Sequence, residues 1–156
     1  MVIFAPEATN MSKHQKNVIV YADDDIDDIE LLKEAFADLK DDVEVIAFQD
    51  GAQTLQYLNK LSPDEPSPCL IILDINMPVI GGKETLSRLR NMRRFAETPI
   101  VLFSTSSQPH DKEFARSYNA GFITKPPDFK QLAKIADQFI DHCDNDVKNS
   151  LRKVAG

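Results

Sequence analysis

Short runs of apolar residues alternate along the chain with stretches in which apolar residues recur every three or four positions. The runs occupy residues 18–22, 43–48, 69–73, 100–103 and 122–124. Apolar runs with little polar alternation are typical of strands that are covered on both faces, as in a parallel sheet. The pattern therefore predicts five buried strands.

The stretches between and after these runs have helical spacing. The clearest apolar stripe comes last and comprises Phe129, Leu132, Ile135, Ala136, Phe139 and Ile140. Weaker stripes lie within residues 29–39, 52–58, 86–89 and 114–118. Five strand–helix units in this order predict the α/β class, with a five-stranded doubly wound parallel sheet, five helices and right-handed crossovers.

Length and composition suit one globular domain. The chain has 156 residues and a formal net charge of -7, which argues against nucleic acid as the main partner. It contains no apolar run long enough to predict a membrane span. Two cysteines, Cys69 and Cys143, are too few for a disulfide framework and suit a reducing, cytoplasmic location. We expect a flexible leader over 1–16, one folded domain over 17–142 and a short tail over 143–156.

Polar residues follow the strands, at the edge where doubly wound sheets bind their ligands. They are Asp23, Asp24 and Asp25 after the first strand, Asp74 and Asn76 after the third, Ser104 and Thr105 after the fourth, and Lys125 after the fifth. Neighbouring carboxylates repel one another unless a cation joins them, and ligands that are all oxygen suit a hard cation such as Mg2+. The sequence therefore predicts a magnesium site at this edge.

Each of these residues also has an ordinary structural interpretation. An Asp after a strand is most often a helix N-cap, and acids such as Asp27 and Asp28 suit a first helical turn. Because successive strand residues point to opposite faces, we expect Asp25 to start the helix rather than to face the cation. Asp74 is harder to explain in this way, because an acid at the end of an aliphatic run needs a partner when it is buried.

The combination of these residues resembles the receiver domain of a two-component response regulator, over about residues 17–142. The matching features are the acid pair Asp23-Asp24, the segment from Asp74 to Gly82 with Asn76 and Pro78, Ser104 after the fourth strand, and Lys125-Pro126 after the fifth. The resemblance implies the strand order 2-1-3-4-5. It also implies that the Lys125–Pro126 peptide bond is cis.

The resemblance implies a role for each site residue. Asp74 would be the phosphoacceptor, with Mg2+ held by Asp24 directly, by Asp23 through water, by Asp74, and by the backbone carbonyl of Asn76. Ser104 would donate to the phosphoryl group, Lys125 would pair first with Asp74 and then with the phosphate, and Phe122 would be an aromatic switch coupled to Ser104. Mg2+ and Lys125 would neutralise the charge that develops on the phosphoryl oxygens.

The function implied is that of a stand-alone response regulator. It would accept a phosphoryl group on Asp74 from a sensor histidine kinase or a phosphotransfer protein and then signal to a protein partner by changing conformation. Its catalysis would be limited to its own phosphorylation and slow dephosphorylation. The proline-rich loop 60–69 and the segment 104–118 resemble regulators that serve phytochrome-like kinases. The segment 118–122 is shorter than the connection between the fourth helix and the fifth strand that is usual in the family. This shortening calls the family's usual output surface into question.

Four alternatives compete with this interpretation. Asp23, Asp25, Asp27 and Glu34 fall at positions 1, 3, 5 and 12 of a calcium-binding loop, but the sixth position of that loop needs glycine and holds Asp28 here. A dehalogenase-type phosphatase needs a second Asp as proton donor, where this chain has Asn76. A flavodoxin-like protein needs an anion-binding first loop, which three consecutive acids oppose. The remaining alternative is a receiver-shaped interaction module that works without phosphorylation.

Overall fold

The computed structural model describes residues 15–106, 108–128, 131 and 134–155. Its five parallel strands are β1 (Asn17–Ala22), β2 (Val43–Phe48), β3 (Leu70–Leu73), β4 (Ile100–Ser104) and β5 (Gly121–Thr124), in the order β2-β1-β3-β4-β5. Both the α/β doubly wound fold and the strand order 2-1-3-4-5 are confirmed.

The described residues form six α-helices, one more than the pattern predicts. They are α1 (Ile26–Ala35), α2 (Gly51–Asn59), α3 (Gly82–Arg90), α4 (Pro109–Ser117), α5 (Ile135–Ile140) and α6 (Asn145–Ala155). Short 3-10 turns follow α1 at Ala37–Leu39 and α3 at Arg93–Phe95. Of the last predicted stripe, Phe129 and Leu132 lie outside the described residues, as does most of the expected leader.

The helices cover the sheet on both faces. Alternate residues of β1 enter different clusters: Ile19 and Tyr21 pack on the face covered by α1, α5 and α6, and Val20 and Ala22 pack on the face covered by α2, α3 and α4. Strand residues are buried on both sides because each face has its own helical layer. This explains why the strands are nearly continuous apolar runs.

The additional helix α6 lies in the segment expected to be a short tail. Its Leu151 is fully buried in the same cluster as Phe139 of α5. Arg152 donates to the carboxylates of Asp137, at 3.2 Å, and Asp141. The segment after residue 143 is therefore packed on the domain. In the described part of the chain, no helix has the length and apolar composition to span a membrane.

Arg90, the last residue of α3, joins the α3–β4 and α4–β5 connections at the amino edge of the sheet. Its guanidinium donates to the carbonyl oxygens of Phe95 at 2.8 Å, Thr98 at 2.7 Å, Tyr118 at 2.8 Å and Asn119 at 3.0 Å. Asn119 has a φ of 54°, a left-handed conformation that Asn tolerates better than most residues. The short α4–β5 connection is thus closed by a tight turn and held by one side chain.

Candidate functional site

Three carboxylates converge at the carboxyl edge of the sheet. One oxygen from each of Asp23, Asp24 and Asp74 lies within 4.8 Å of the others; Asp23 and Asp74 are buried and Asp24 is exposed. Asp23 and Asp74 directly follow the neighbouring strands β1 and β3, and the Asp74 N–H donates to the Ala22 carbonyl at 2.9 Å. The strand pairing therefore continues to the acids and fixes where they emerge.

Asp25 starts the helix α1, as predicted, and lies outside this cluster. Its side chain caps α1 by accepting hydrogen bonds from the N–H groups of Asp27 and Asp28. Its own N–H donates to Asp23 Oδ1 at 2.9 Å. Asp25 therefore caps α1 with its side chain and orients the Asp23 carboxylate with its N–H.

Burial dominates the electrostatics of Asp74, whose residue is 6% exposed. Desolvation raises the pKa of its carboxyl to about 6, the Lys125 ammonium opposes that shift, and the Asp23 charge adds to it. The Asn76 N–H donates to Asp74 Oδ1 at 3.4 Å. Asp74 is therefore a carboxyl that titrates close to neutrality, as is common at functional sites.

Lys125 reaches into the carboxylate cluster from the end of β5. Its Nζ lies 2.7 Å from Asp23 Oδ2, 2.8 Å from Asp28 Oδ2 and 3.4 Å from Asp74 Oδ2. Burial alone would lower the pKa of Lys125, but its hydrogen bonds to Asp23 and Asp28 raise the pKa above its ordinary value. The expected contact with Asp74 is present, and it is the longest of the three.

Asp28 and Tyr21 belong to the site, and sequence analysis missed both roles. Asp28 was interpreted as a first-turn acid, yet it binds Lys125. The buried Tyr21 hydroxyl donates to Asp23 Oδ2, and burial, followed by the Asp23 charge, raises the pKa of Tyr21. The available signal for Tyr21 is its hydroxyl within a buried run, two residues before Asp23 and so on the same strand face.

Ser104 lies fully buried at the end of β4, next to Lys125. The Lys125 N–H donates to the Ser104 carbonyl at 2.8 Å, and Ser104 Oγ accepts from the Ser106 N–H at 3.2 Å. Phe122 on β5 is partly buried and packs against the face covered by α2, α3 and α4. The side chains of Ser104, Phe122 and Lys125 thus come from two adjacent strands.

A second polar cluster, also missed by sequence analysis, holds the loop after β4. Ser106 Oγ donates to Asp111 Oδ2 at 2.5 Å, and Lys83 Nζ lies 2.5 Å from Asp111 Oδ1. The hydrogen bonds from Lys83 and Ser106 hold the pKa of Asp111 below its ordinary value. This cluster links the loop to the first turns of α3 and α4.

The backbone after Asp74 is closely packed against α3. A Cβ on Gly82 would lie 2.1 Å from the Asp74 carbonyl oxygen, so a larger residue there would displace Asp74. Val79, in the connecting loop, is 80% exposed and has a φ of 64°, a strained conformation for a β-branched residue. The loop that carries exposed Asn76 is therefore tightly constrained.

The Lys125–Pro126 peptide bond does not have the expected geometry. None of the described peptide bonds is cis, so that expectation was wrong. The trans form agrees with the intrinsic preference of bonds that precede proline.

Comparisons with known proteins identify the family to which the chain belongs. The response regulator receiver domain family matches residues 19–137, and the chain belongs to that family. It is therefore a receiver-domain protein of two-component signalling.

Two relatives show how far the similarity extends. A protein-glutamate methylesterase/protein-glutamine glutaminase of Clostridium acetobutylicum is 35% identical over 121 residues, which cover 74% of this chain and 33% of that protein. The chain thus spans about a third of the length of this relative. The response regulator Rcp1 of Synechocystis sp. is 28% identical over 76% of this chain and 82% of Rcp1.

Solved structures share the fold closely. The phosphorylated cyanobacterial phytochrome response regulator RcpA has a TM-score of 0.72 at 28% identity, over 80% of this chain and 94% of that chain. The Mn2+-bound form of Rcp1 has a TM-score of 0.67 at 27% identity, over 78% of this chain and 92% of that chain.

Proposed function

We propose that this protein accepts a phosphoryl group on Asp74 from a histidine kinase or a histidine phosphotransfer protein, in a reaction that depends on Mg2+. The observation that carries the proposal is the placement of Asp74. Its carboxylate is buried beside Asp23 and Asp24 and within 3.4 Å of the Lys125 ammonium. Membership of the receiver family supports the same chemistry.

The charge balance at the site supports a divalent cation. Lys125 brings one positive charge to four carboxylates, those of Asp23, Asp24, Asp28 and Asp74. The remaining negative charge and the donor set of oxygens suit Mg2+, which binds through one or two carboxylates and keeps several waters. Asp23, Asp24, Asp74 and the backbone carbonyl of Asn76 would hold it. The Mn2+-bound form of Rcp1 shows that a similar protein binds a divalent cation.

The reaction would be an in-line displacement by the Asp74 carboxylate. An Asp74 oxygen forms a bond to phosphorus while the bond from phosphorus to the donor's histidine nitrogen breaks, which leaves an acyl phosphate. Lys125 pairs with the incoming phosphoryl oxygens, and the Ser104 hydroxyl donates a hydrogen bond to one of them. Mg2+, when bound, supplies further positive charge at those oxygens.

The switch would use contacts that are already in place. Lys125 must exchange part of its pairing with Asp23 and Asp28 for the phosphoryl group, and Ser104 must move toward Asp74. Phe122 pairs in register with Leu102, two residues before Ser104, and precedes Lys125 by three residues. We propose that this shift changes how Phe122 packs and so alters the surface that a protein partner recognises.

Phosphorylation by a small donor tests the assignment. With acetyl phosphate and Mg2+, intact mass should increase by one phosphoryl group, and peptide mapping should place that group on Asp74. Asp74→Asn should abolish the modification, and excess EDTA should prevent it in the unchanged protein. Asp64→Asn, in the exposed loop after α2, is the matched control and should be modified normally.

Two results would contradict the proposal. One is full modification of Asp74→Asn. The other is a folded, Mg2+-saturated protein that no acyl-phosphate or phosphohistidine donor modifies, which would favour the interaction module that needs no phosphorylation.

We further propose that the natural donor is a phytochrome-like histidine kinase. The similarity to the cyanobacterial phytochrome response regulator RcpA supports this choice. Phosphotransfer rates from a phytochrome-type kinase and from a chemotaxis kinase, measured side by side, would test it. Faster transfer from the chemotaxis kinase would contradict it.

A further inference from the structure

The two cysteines lie together at the amino edge of the sheet, opposite the acidic site. Cys69 directly precedes β3, and its N–H donates to the Val18 carbonyl of β1 at 2.9 Å. Cys143 lies between α5 and α6, and its N–H donates to the Ile140 carbonyl at 3.0 Å. Both positions are thus fixed by backbone hydrogen bonds.

The two thiols are neighbours. Each is near enough to the other to shift its pKa, with that of Cys69 raised and that of Cys143 lowered. Both pack in the cluster that also contains Phe139, whose carbonyl accepts a weak hydrogen bond from Cys143 Sγ at 3.9 Å. Neighbouring thiols in one packed cluster need only a limited movement to reach the bonding distance of a disulfide.

A small oxidant can approach this pair from a surface cavity. The cavity has a volume of about 590 Å3 and is lined by Cys69, Arg93, Arg94, Asp144 and Val147 among others. Cys69 is partly exposed, whereas Cys143 is 5% exposed and directly precedes the lining residue Asp144. The pair is therefore shielded from large molecules but open to a peroxide.

We propose that Cys69 and Cys143 form a reversible intramolecular disulfide when a hydroperoxide oxidises them, and that this bond fastens the C-terminal helix α6 to the sheet. The bond would join β3 to the connection between α5 and α6. It would close a loop of roughly 70 residues, and such a cross-link stabilises a fold largely by restricting the unfolded chain.

The reaction with hydrogen peroxide balances in two steps. Cys143 is the nucleophile, because the neighbouring Cys69 lowers the pKa of its thiol. Its sulfur takes one oxygen as the O–O bond breaks, which gives a sulfenic acid and one water. The Cys69 sulfur then displaces that oxygen, so that the S–S bond forms and a second water leaves. Two thiols are oxidised, and one peroxide is reduced to two waters.

Mild oxidation of the full chain tests the proposal. Hydrogen peroxide in small molar excess should remove two hydrogens from the intact mass. Non-reducing peptide mapping should recover one cross-linked peptide pair containing Cys69 and Cys143. The oxidised monomer should melt about 5–10 °C higher than the reduced one, and dithiothreitol should reverse both changes.

Three variants make the result specific. Cys69→Ala and Cys143→Ala should lose the cross-linked peptide and the gain in melting temperature. Cys69→Ala retains a partly exposed position and should fold even if the buried Cys143→Ala does not. Asp74→Asn should form the disulfide normally, which separates this proposal from the proposed phosphorylation.

Either of two outcomes would overturn the proposal. One is oxidation to sulfinic acid or to intermolecular dimers without the internal cross-link. The other is an internal cross-link that leaves the melting temperature unchanged or lowers it, because the bond would then not fasten α6.

Discussion

At the scale of single residues, burial raises the pKa of Asp74 above that of an ordinary Asp. Asp74 follows four fully buried aliphatic residues of β3, so its carboxyl leaves water on folding. Lys125 approaches it at 3.4 Å but lies closer to Asp23 and Asp28. The charge of Asp74 is therefore only partly compensated by Lys125, which is compatible with the role proposed for it above.

Asp74→Asn should stabilise the protein at neutral pH in the absence of divalent cations. The pKa of the folded carboxyl is about 6, above its ordinary value of 3.8, so the folded state favours the neutral form. The cost of ionising Asp74 grows as pH rises through this window and is complete above it. We expect a gain of roughly 1–3 kcal/mol at about pH 7.5 that shrinks below about pH 4.5.

Urea unfolding with EDTA at the two pH values measures this gain. Asp64→Asn is the control and should change stability by less than about 0.5 kcal/mol at either pH. An Asp74→Asn protein that is less stable at neutral pH would show that Lys125 outweighs burial.

Tyr21→Phe should weaken the fold by removing the hydroxyl that donates to buried Asp23. We expect a loss of roughly 1–2 kcal/mol without Mg2+, because a charged acceptor loses one donor. The loss should shrink at saturating Mg2+, since the cation compensates the Asp23 charge. Paired urea titrations measure both effects. Tyr57→Phe, on α2 where the ring packs against Phe48, is the control. An equal loss in both variants would contradict the role of Tyr21.

At the scale of elements, side chains rather than backbone pairing hold the connections. Lys83, Ser106 and Asp111 join the loop after β4 to α3 and α4 near the site. At the opposite end, Arg94 contacts the proline-rich loop, donating to Leu61 O at 3.1 Å and Ser62 O at 2.8 Å. These loops are therefore ordered parts of the domain.

Arg90→Ala should destabilise the protein by about 2–4 kcal/mol. The substitution removes the donor to four backbone carbonyls, two of them in the short connection before β5. Arg90→Lys should recover little of this loss, because an ammonium lacks the planar fork of donors. Chemical unfolding measures both variants. Arg88→Ala, exposed on the same helix, is the control and should have a small effect. An equally small effect of Arg90→Ala would contradict the role of Arg90 in holding the two connections.

At the scale of the whole molecule, the two ends of the sheet carry different groups of side chains. The carboxyl edge collects the acids, Ser104 and Lys125, and the amino edge holds Cys69, Cys143 and the start of α6. Because α5 follows β5 and leads into α6, the C-terminal segment is connected to both edges. Its packing is part of the domain's stability.

Leu151→Ala should cost about 2–4 kcal/mol of folding stability, because Leu151 is fully buried in the cluster shared with α5. Thermal and urea unfolding measure the effect. Asn149→Ala, exposed on the same helix, is the control and should change stability by less than about 0.5 kcal/mol. Equal stability of the two variants would show that α6 does not contribute to the core.

Much of this protein could be predicted from its sequence for a physical reason. Strands covered on both faces must be apolar, so all five strands appear in the sequence as apolar runs. A buried Asp at the end of such a run, as at Asp74, needs a partner and so indicates a site. Asp25 could be assigned to the helix cap because successive residues point apart. Helix α6 escaped prediction because its apolar positions are few among charged residues, and Leu151 shows its importance only through its burial.

The pattern of apolar and polar residues was enough to predict the fold class, the edge at which the acids gather and the residue types available there. Which charges pair, by contrast, could be seen only in the folded protein. Lys125 is distant in sequence from Asp23, Asp28 and Asp74, and its preference among them depends on distances of a few tenths of an ångström. The proximity of Cys69 and Cys143 likewise depends on how segments that are distant in sequence pack together. Local patterns fix elements, whereas side-chain contacts between distant segments depend on how those elements pack.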